Sequence, residues 1–194
     1  ALKSGEVKAV WIACTNPAQS LPNQAAVREA LQAAEYVVLQ EAYGNTDTAA
    51  YADLLLPASA WGEKHGTVTN SERRITHVNA AVPPPGEARH DWDIVVDFAR
   101  RLGRRLGVDG ERLFPYPDAE SIFNEHREST RGRDLDITGL SYAQLDAAGP
   151  QQWPYPEGAS GGKARLYGDG LFTTAVCTAR FVAVQQLKTA DLPD

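Results

Sequence analysis

A loop with many hydrogen-bonding side chains follows a short apolar segment in the first half of the chain. The apolar segment ends at Pro57, and the loop continues to Arg74. The loop residues that could bind a polar cofactor are Glu63, Lys64, Thr67, Thr69, Asn70, Glu72, Arg73 and Arg74. The ammonium of Lys64 could neutralise a pyrophosphate or donate to a ring, and the neighbouring glycines let the backbone approach a ligand closely. The plain alternative is a solvated Lys64 that pairs with Glu63.

Two other segments carry polar groups after apolar runs. In the segment that begins Thr15-Asn16-Pro17, the Asn16 carboxamide can both donate and accept hydrogen bonds, although Asn-Pro pairs also form plain turns. In the second segment, the Glu41 carboxylate could accept two ribose hydroxyls or the N1 and N2 donors of guanine. Its alternative role is to favour a nearby helix N-terminus. No segment contains the glycine-rich sequence of a common dinucleotide or triphosphate cradle.

The apolar runs alternate with helical patterns and predict the elements that position these groups. The predicted strands are Ala9–Cys14, Tyr36–Gln40 and Leu54–Leu56, and a helix capped by Asn23 and extending to about Glu35 lies between the first two. A short helical turn, Thr46–Tyr51, precedes the third strand. This order is typical of an α/β fold with a doubly wound, mostly parallel, Rossmann-like sheet. Because ligands bind beyond the carboxyl ends of such strands, the three polar segments are the expected site.

Further elements follow the loop. We predict an additional strand over Arg74–Val78, a helix from its N-cap Asp91 to about Leu106, a helix from Asp118 to about Thr130, a short helix over Tyr142–Ala147 and a strand pair within Leu171–Val184. Residues 1–109 are predicted to form the α/β core. Residues 110–194 are predicted to form a helical segment and a loop-rich arm.

Composition limits the classes of partner. The chain has 194 residues and a formal net charge of -6, which argues against nucleic acid or an anionic membrane as the main partner. The basic residues Arg100, Arg101, Arg104 and Arg105 are interpreted as a solvated helix face. No apolar run is long enough to span a bilayer.

The cysteine and methionine content gives two further expectations. Cys14 and Cys177 are the only cysteines, so they form neither a disulfide framework nor a metal site, and a reducing, cytoplasmic location is expected. The chain begins with Ala1 and contains no Met, which we interpret as an excised piece of a longer protein. Removal of an initiator Met would also explain Ala1.

Five segments in the same order resemble the molybdopterin-guanine-dinucleotide-dependent oxidoreductases, and most of all the assimilatory nitrate reductases among them. They read TNPAQSLPN, VVLQEA, ADLLLPASAWGEKHGTVTNSERR, EARHDWDIV and GLSYAQLDAAGPQQWPYPEG, and KARLYGDGLF follows. Beyond these, Thr173–Phe181 departs from the usual family pattern. The resemblance extends over roughly residues 7 to 184, a middle portion of the whole enzyme.

The resemblance implies that this segment binds one end of a bis-molybdopterin guanine dinucleotide cofactor. The cofactor-binding residues that it implies are Thr15, Asn16, Gln40, Glu41, Lys64 and Asp91, with the exact assignment among residues 40 to 42 left open. It implies no catalytic residue and no metal ligand here. Arg73 and Arg74 are expected to fasten the loop to the rest of the enzyme through carboxylates.

The resemblance also implies what the parent protein does. A molybdenum-dependent nitrate reductase would reduce nitrate to nitrite, with a 4Fe-4S cluster outside this segment, and the fragment alone would be inactive. The implied partners are the remaining domains of the parent and an electron donor protein or reductase subunit. The alternatives are the same domain of a formate dehydrogenase, or a non-catalytic scaffold module that resembles these enzymes.

Overall fold

The structure, a computed structural model that describes residues 1–185, contains two small sheets and six α-helices within that range. The elements in chain order are β1 (Ala9–Ala13), α1 (Pro17–Ser20), α2 (Gln24–Ala33), β2 (Tyr36–Glu41), a 3₁₀ helix (Asp47–Tyr51), β3 (Leu54–Pro57), a second 3₁₀ helix (Trp61–Glu63), β4 (Gly66–Thr69), β5 (Arg74–Val78), α3 (Asp91–Leu106), α4 (Gly110–Leu113), α5 (Ala119–Ser129), α6 (Tyr142–Ala148) and β6 (Gln151–Gln152). Strands β1, β2 and β3 form a parallel sheet in that order, which confirms the predicted α/β class.

One face of the parallel sheet packs against α2. The sequence alternates along β1 and β2, so Ile12, Val37 and Leu39 point to the same face and form a buried cluster with Leu31 of α2. Asn23 caps α2 as predicted: its backbone is left-handed, with φ of 55°, and its side chain accepts a hydrogen bond from the amide of Ala26. This cluster holds α2 against β1 and β2.

The other face of the parallel sheet packs against α3. Trp11 of β1 contacts Phe98 of α3 edge to face, with ring centroids 4.8 Å apart, and Ile94 of α3 is buried beside it. The helix ends at Gly107, whose φ of 70° lets the chain turn away from the helix. The helices α2 and α3 therefore cover opposite faces of the sheet.

Strands β4, β5 and β6 form a second, antiparallel sheet. The predicted strand Arg74–Val78 is confirmed as β5, whereas the sequence analysis treated Gly66–Thr69 as loop, and it is strand β4. The turn between them is closed by the Asn70 carboxamide, which accepts from the amides of Glu72 and Arg74. Thr67 and Thr69 are thus sheet residues.

A second buried cluster packs on the antiparallel sheet. It consists of Ile75, Phe123, Ile137, Leu140, Leu145 and Tyr155. Ile75 belongs to β5, and the other members follow α4 in the chain. The division at residue 109 stays a prediction, and this cluster contains residues from both sides of it.

Three expectations about the later residues and the arginines were wrong. Residues 171–185 form no strand, so the strand pair expected within Leu171–Val184 is absent from the described residues. Arg100 is no part of a solvated face, because its guanidinium donates to the carbonyls of Phe114 and Tyr116 and ties α3 to the chain after α4. Arg73 bonds to backbone carbonyls of this chain, at Trp153, Lys163 and Ala164, rather than to carboxylates.

Among residues 1–185 the structure has no helix with the length and apolar character needed to cross a membrane.

The cluster under the parallel sheet should dominate the stability of that half of the chain. Leu39 is 0% exposed, and Leu39→Ala should lower the free energy of unfolding by about 2–5 kcal/mol through lost burial and a residual cavity. Urea unfolding followed by circular dichroism measures the difference. Leu21→Ala is the matched control, since Leu21 is 50% exposed and should lose less than about 1 kcal/mol. Equal losses in the two variants would contradict this account of the core.

Candidate functional site

The carboxylate of Asp91 is the point on which side chains from the ends of all three parallel strands converge. The Gln40 amide nitrogen donates to Asp91 Oδ1 at 2.8 Å, and the Cys14 thiol lies 3.5 Å from the same oxygen. The Lys64 ammonium donates to Asp91 Oδ2 at 3.0 Å. Cys14 directly follows β1, Gln40 lies at the end of β2, and Lys64 is in the segment after β3. Long-range contacts of this kind join four separate parts of the sequence.

Backbone pairing places α3 beside the strand ends. The chain before α3 runs parallel to the end of β3, with a bridge between Ala58 and Arg89. The amide of Arg89 donates to the carbonyl of Pro57 at 3.1 Å, and the amide of Ser59 donates to the carbonyl of Arg89 at 2.8 Å. These bonds start α3 at the carboxyl edge of the sheet, so its first residue, Asp91, faces the polar loops.

Asp91 does not cap α3, and this corrects the sequence prediction. The N-cap position is occupied by His90, whose side chain makes no capping bond, and Asp91 is the first helical residue. Its carboxylate is instead committed to Gln40, Lys64 and Cys14. A negative charge at this position still interacts favourably with the helix dipole.

Local bonds also decide which partner Lys64 takes. Glu63 closes the 3₁₀ helix by accepting a hydrogen bond from the amide of Ala60 at 2.8 Å. The alternative interpretation, in which Lys64 is a solvated lysine paired with Glu63, is therefore wrong. The Lys64 side chain is 32% exposed, so its ammonium faces both Asp91 and open space. Two of its three N–H donors remain for other groups.

The electrostatics of this network favour an ionised Asp91 and a neutral Cys14. Burial raises the pKa of the Asp91 carboxyl, but the hydrogen bonds from Gln40 and Lys64 and the charge of Lys64 lower it by more, and the pKa lies below its ordinary value of 3.8. Burial, followed by the charge of Asp91, raises the pKa of the Cys14 thiol. The site therefore holds one fixed carboxylate beside one ammonium at neutral pH.

Asn16 lies at the same edge of the sheet but serves a different contact. Its carboxamide oxygen accepts from the amide of Thr48 at 3.1 Å and from the Thr48 hydroxyl at 2.6 Å. Its nitrogen donates to Gln19 at 2.9 Å. These bonds tie the loop after β1 to the 3₁₀ helix before β3. Thr15, the residue before it, is exposed at the start of the loop.

Glu41 ends β2 and stabilises the turn that follows. Its Oε1 accepts from the amide of Ala42 at 2.8 Å and from the amide of Tyr43 at 3.4 Å. The side chain is partly buried and lies beyond the carboxyl end of the strand, as expected. The structure thus joins Gln40, Lys64 and Asp91 directly and leaves Asn16 and Glu41 in separate local bonds. The sequence analysis missed Cys14 as a site residue, although its place after β1 was a usable signal.

The donor and acceptor set of this edge fits a polar, hydrogen-bonding ligand. The Gln40 side-chain oxygen and the Thr46 hydroxyl are buried and have no partner among the described residues. A cavity of about 340 Å³ adjoins Lys64 and Asp91 and is also lined by Trp92. Within residues 1–185, no three His, Cys, Asp or Glu side chains are grouped to hold a metal ion. The groups present suit a nucleotide base, a ribose and phosphates.

Comparisons with known proteins show which proteins the chain is similar to. A sequence model described as molybdopterin oxidoreductase matches residues 1–101. The chain is 42% identical over 166 residues to the assimilatory nitrate reductase catalytic subunit of Bacillus subtilis, which covers 86% of this chain and 22% of that protein. It is 36% identical over 188 residues to the F420-dependent formate dehydrogenase subunit alpha of Methanocaldococcus jannaschii, covering 97% of this chain and 26% of that protein.

A solved structure shows the same fold. Acetylene hydratase from Pelobacter acetylenicus superimposes with a TM-score of 0.56 at 24% sequence identity, covering 76% of this chain and 19% of that one. The chain spans about a quarter of the length of the curated relatives that it matches.

The depressed pKa of Asp91 predicts a pH-dependent contribution to stability. Asp91→Asn should lower the free energy of unfolding at pH 7 by about 1–3 kcal/mol, because it removes hydrogen bonds to a charged group. The unfolded carboxyl titrates near 3.8 and the folded one below that value, so the deficit should be full above the unfolded pKa. It should shrink as the pH falls through the folded pKa, where the native Asp91 is also protonated.

Urea unfolding at several pH values between 7 and 2.5 measures this difference. Asp93→Asn is the matched control, since Asp93 lies in the same first turn of α3 but pairs with Arg89 outside the network. If the deficit of Asp91→Asn were the same at pH 7 and pH 2.5, the network would not be what holds the carboxylate ionised.

Proposed function

Because this chain belongs to the molybdopterin oxidoreductase family, we propose that it is the cofactor-binding segment of a molybdenum-dependent nitrate reductase. In this proposal it holds the guanine dinucleotide end of a bis-molybdopterin guanine dinucleotide cofactor. The single observation that supports it best is the convergence of Gln40 and Lys64 on Asp91 at the carboxyl edge of the parallel sheet. Open α/β sheets bind nucleotides at this edge.

The chemistry of each side chain supports a role in holding the nucleotide. A fixed, ionised Asp91 can accept hydrogen bonds from the N1 and N2 donors of guanine, and Glu41 can accept from ribose hydroxyls. Lys64 has donors left for a phosphate or a ring oxygen beside Asp91. Thr15 and Asn16 supply hydroxyl and carboxamide groups at the neighbouring loop. Gln40 is buried at 1% exposure, so it acts on the ligand through Asp91.

The residues of this chain bind and orient, and the reaction is assigned to the cofactor. The molybdenum centre of such a cofactor supplies oxygen-atom transfer, by which nitrate becomes nitrite. A 4Fe-4S cluster needs four thiolates, and this chain has two cysteines, so we assign the cluster to the remaining polypeptide. The other partners in the proposal are an electron donor protein or reductase subunit. The name of the assimilatory relative supports a role in nitrate assimilation, for which we propose a cytoplasmic location.

Two other functions are separated from this one by experiment. A formate dehydrogenase parent is supported by the identity to the formate dehydrogenase subunit and would oxidise formate while leaving nitrate unreduced. A non-catalytic scaffold would contain no molybdenum. The network argues against a scaffold, because Lys64 uses one of its three N–H donors on Asp91 and directs the others to the open edge where a ligand would lie.

The Lys64 ammonium tests the binding role. In the parent enzyme, Lys64→Ala should lower the affinity for the cofactor by about 10-fold to 100-fold, since a charge-assisted hydrogen bond contributes about 1.5–3 kcal/mol. Its unfolding free energy without cofactor should change by less than about 1 kcal/mol, because partly exposed ion pairs contribute little. Molybdenum analysis, quantification of the released nucleotide and nitrate-reduction assays measure the outcome.

Lys8→Ala is the matched control for Lys64→Ala. Lys8 also forms an ion pair, with Glu35 at 2.8 Å, but lies at the opposite end of β1. This variant should keep its full cofactor content and turnover. If Lys64→Ala kept them as well, the Lys64 loop would be a structural strap and not a binding loop.

The segment alone should be inactive. A cofactor of this size must be enclosed from several sides, and this chain provides one wall. Purified residues 1–194 should therefore contain no stoichiometric molybdenum and should not reduce nitrate. The parent should contain molybdenum and should reduce nitrate. Metal analysis and a nitrite assay on matched preparations decide the matter, and stoichiometric molybdenum in the segment would refute the division of labour proposed here.

A further inference from the structure

A cavity lies away from the candidate site, on the side of the parallel sheet that faces α3. Its volume is about 580 Å³. We call it the α3 groove. Its lining is mainly apolar and includes Trp11, Tyr36, Val38, Leu54, Ile94 and Phe98, with charged residues at the rim. None of these residues belongs to the network around Asp91.

The register of the sheet explains why the groove is apolar. Trp11 pairs with Val38, and Val38 pairs with Leu54, so these three side chains point to the same face. The opposite face is covered by α2 along β1 and β2, whereas α3 covers only part of this one. Leu54 is 40% exposed and Tyr36 is 45% exposed. Parallel sheets are normally covered by helices on both faces.

Helix α3 continues the apolar surface. Val95, Phe98, Leu102 and Leu106 recur at spacings of three or four residues, and all four are exposed. Phe98 belongs both to this stripe and to the groove. The stripe spans about three turns of helix, or roughly 16 Å. A contiguous apolar surface of this kind on a folded chain marks an interaction site.

We propose that the α3 groove receives an amphipathic helix from the part of the parent polypeptide outside residues 1–194. The inference rests on the proposed function, in which the chain is one segment of a longer enzyme. The helix would lie beside α3 and over β3, with a stripe of Leu, Ile, Val or Phe at helical spacing against the groove. It would complete the helix layer on this face of the sheet.

Two observations favour a helix over an added strand. Strand β3 has only four residues, and its last is Pro57, which has no N–H to donate to a neighbouring strand. A strand added there would gain few backbone hydrogen bonds. The exposed apolar surface extends from the sheet face along α3, and only an element lying on that face would cover both.

The length of the relatives favours a segment of the same polypeptide over a second copy. The chain spans about a quarter of the relatives that it matches, so a parent of that length would hold several hundred further residues. A tethered helix acts at an effective concentration in the millimolar range, well above the concentration of a second molecule. The charges at the rim are already compensated, because Arg89 pairs with both Asp93 and Asp97 and Arg101 also pairs with Asp97.

Photo-crosslinking in the parent holoenzyme identifies the occupant. Tyr36→p-benzoylphenylalanine places the reactive ring in the groove with little change in shape. The expected product joins position 36 to a peptide outside residues 1–194 of the same molecule, with apolar residues at helical spacing. A crosslink to a second copy, detected by mixing isotopically labelled and unlabelled enzyme, would overturn the proposal, as would a crosslink within residues 1–194 or none at all.

A charge in the groove supplies the second measurement. Leu54→Lys should lower the apparent melting temperature of the parent by roughly 5 °C or more, because the ammonium would be buried under the helix. Leu54→Met, which conserves volume, should change it by less than about 2 °C. In the segment of residues 1–194, where Leu54 is 40% exposed, Leu54→Lys should lower the melting temperature by less than it does in the parent. An unchanged melting temperature of the parent carrying Leu54→Lys would overturn the proposal.

Activity separates this inference from the proposed function. If the crosslink were absent from an enzyme that contains molybdenum and reduces nitrate, the result would contradict only the helix proposal. If the crosslink formed in a parent that contained no molybdenum and did not reduce nitrate, the result would contradict only the proposed function.

Discussion

One carboxylate, that of Asp91, organises the polar edge of this structure. Its two oxygens take hydrogen bonds from Gln40 and Lys64, and the Cys14 thiol approaches one of them, so residues at or just after the ends of three strands are fixed relative to the start of α3. The burial of the carboxylate is unfavourable by itself and is offset by these donors. The same bonds that compensate the charge also orient it. A ligand that meets Asp91 therefore meets a group whose position is already set, which reduces the ordering cost of binding.

The arginine at position 73 has a comparable role for the second sheet. Its backbone is left-handed, with φ of 66°, and its guanidinium donates to the carbonyls of Trp153, Lys163 and Ala164. The planar group has five N–H donors in a fixed arrangement, so one side chain can satisfy several carbonyls that no strand pairs. Through this contact the irregular chain after β6 is held against the turn between β4 and β5. The loop that carries Lys64 leads directly into β4, so the Arg73 contacts also help to hold the strand that follows this loop.

The two faces of the parallel sheet differ in how far they are covered. The face under α2 carries the buried cluster that stabilises the sheet, whereas the face under α3 is apolar and only partly covered. The polar edge lies between them, beyond the carboxyl ends of the strands. Such a division suits a segment that binds one end of a large cofactor while its remaining surface packs against other parts of an enzyme.

Local patterns in the sequence were enough to predict most elements and the edge of the sheet where the polar groups lie. Periodicity and turn residues predicted β1, β2, β3, β5 and the longer helices to within one or two residues, because these signals are local. The same local signals placed Gln40, Glu41 and Lys64 at the carboxyl ends of parallel strands.

Which of these side chains contact one another depends on the tertiary structure. The four residues of β4 are too few and too polar for a strand signal of their own, and β6 pairs with β5 across more than 70 residues of sequence. Asp91 looked like a helix cap because Asp before an apolar run usually is one. Its actual partners, Gln40 and Lys64, lie 51 and 27 residues away and are brought to it only when β3 pairs with the chain before α3. Contacts between residues so far apart in the sequence depend on the packing of the whole sheet, so local sequence patterns do not predict them.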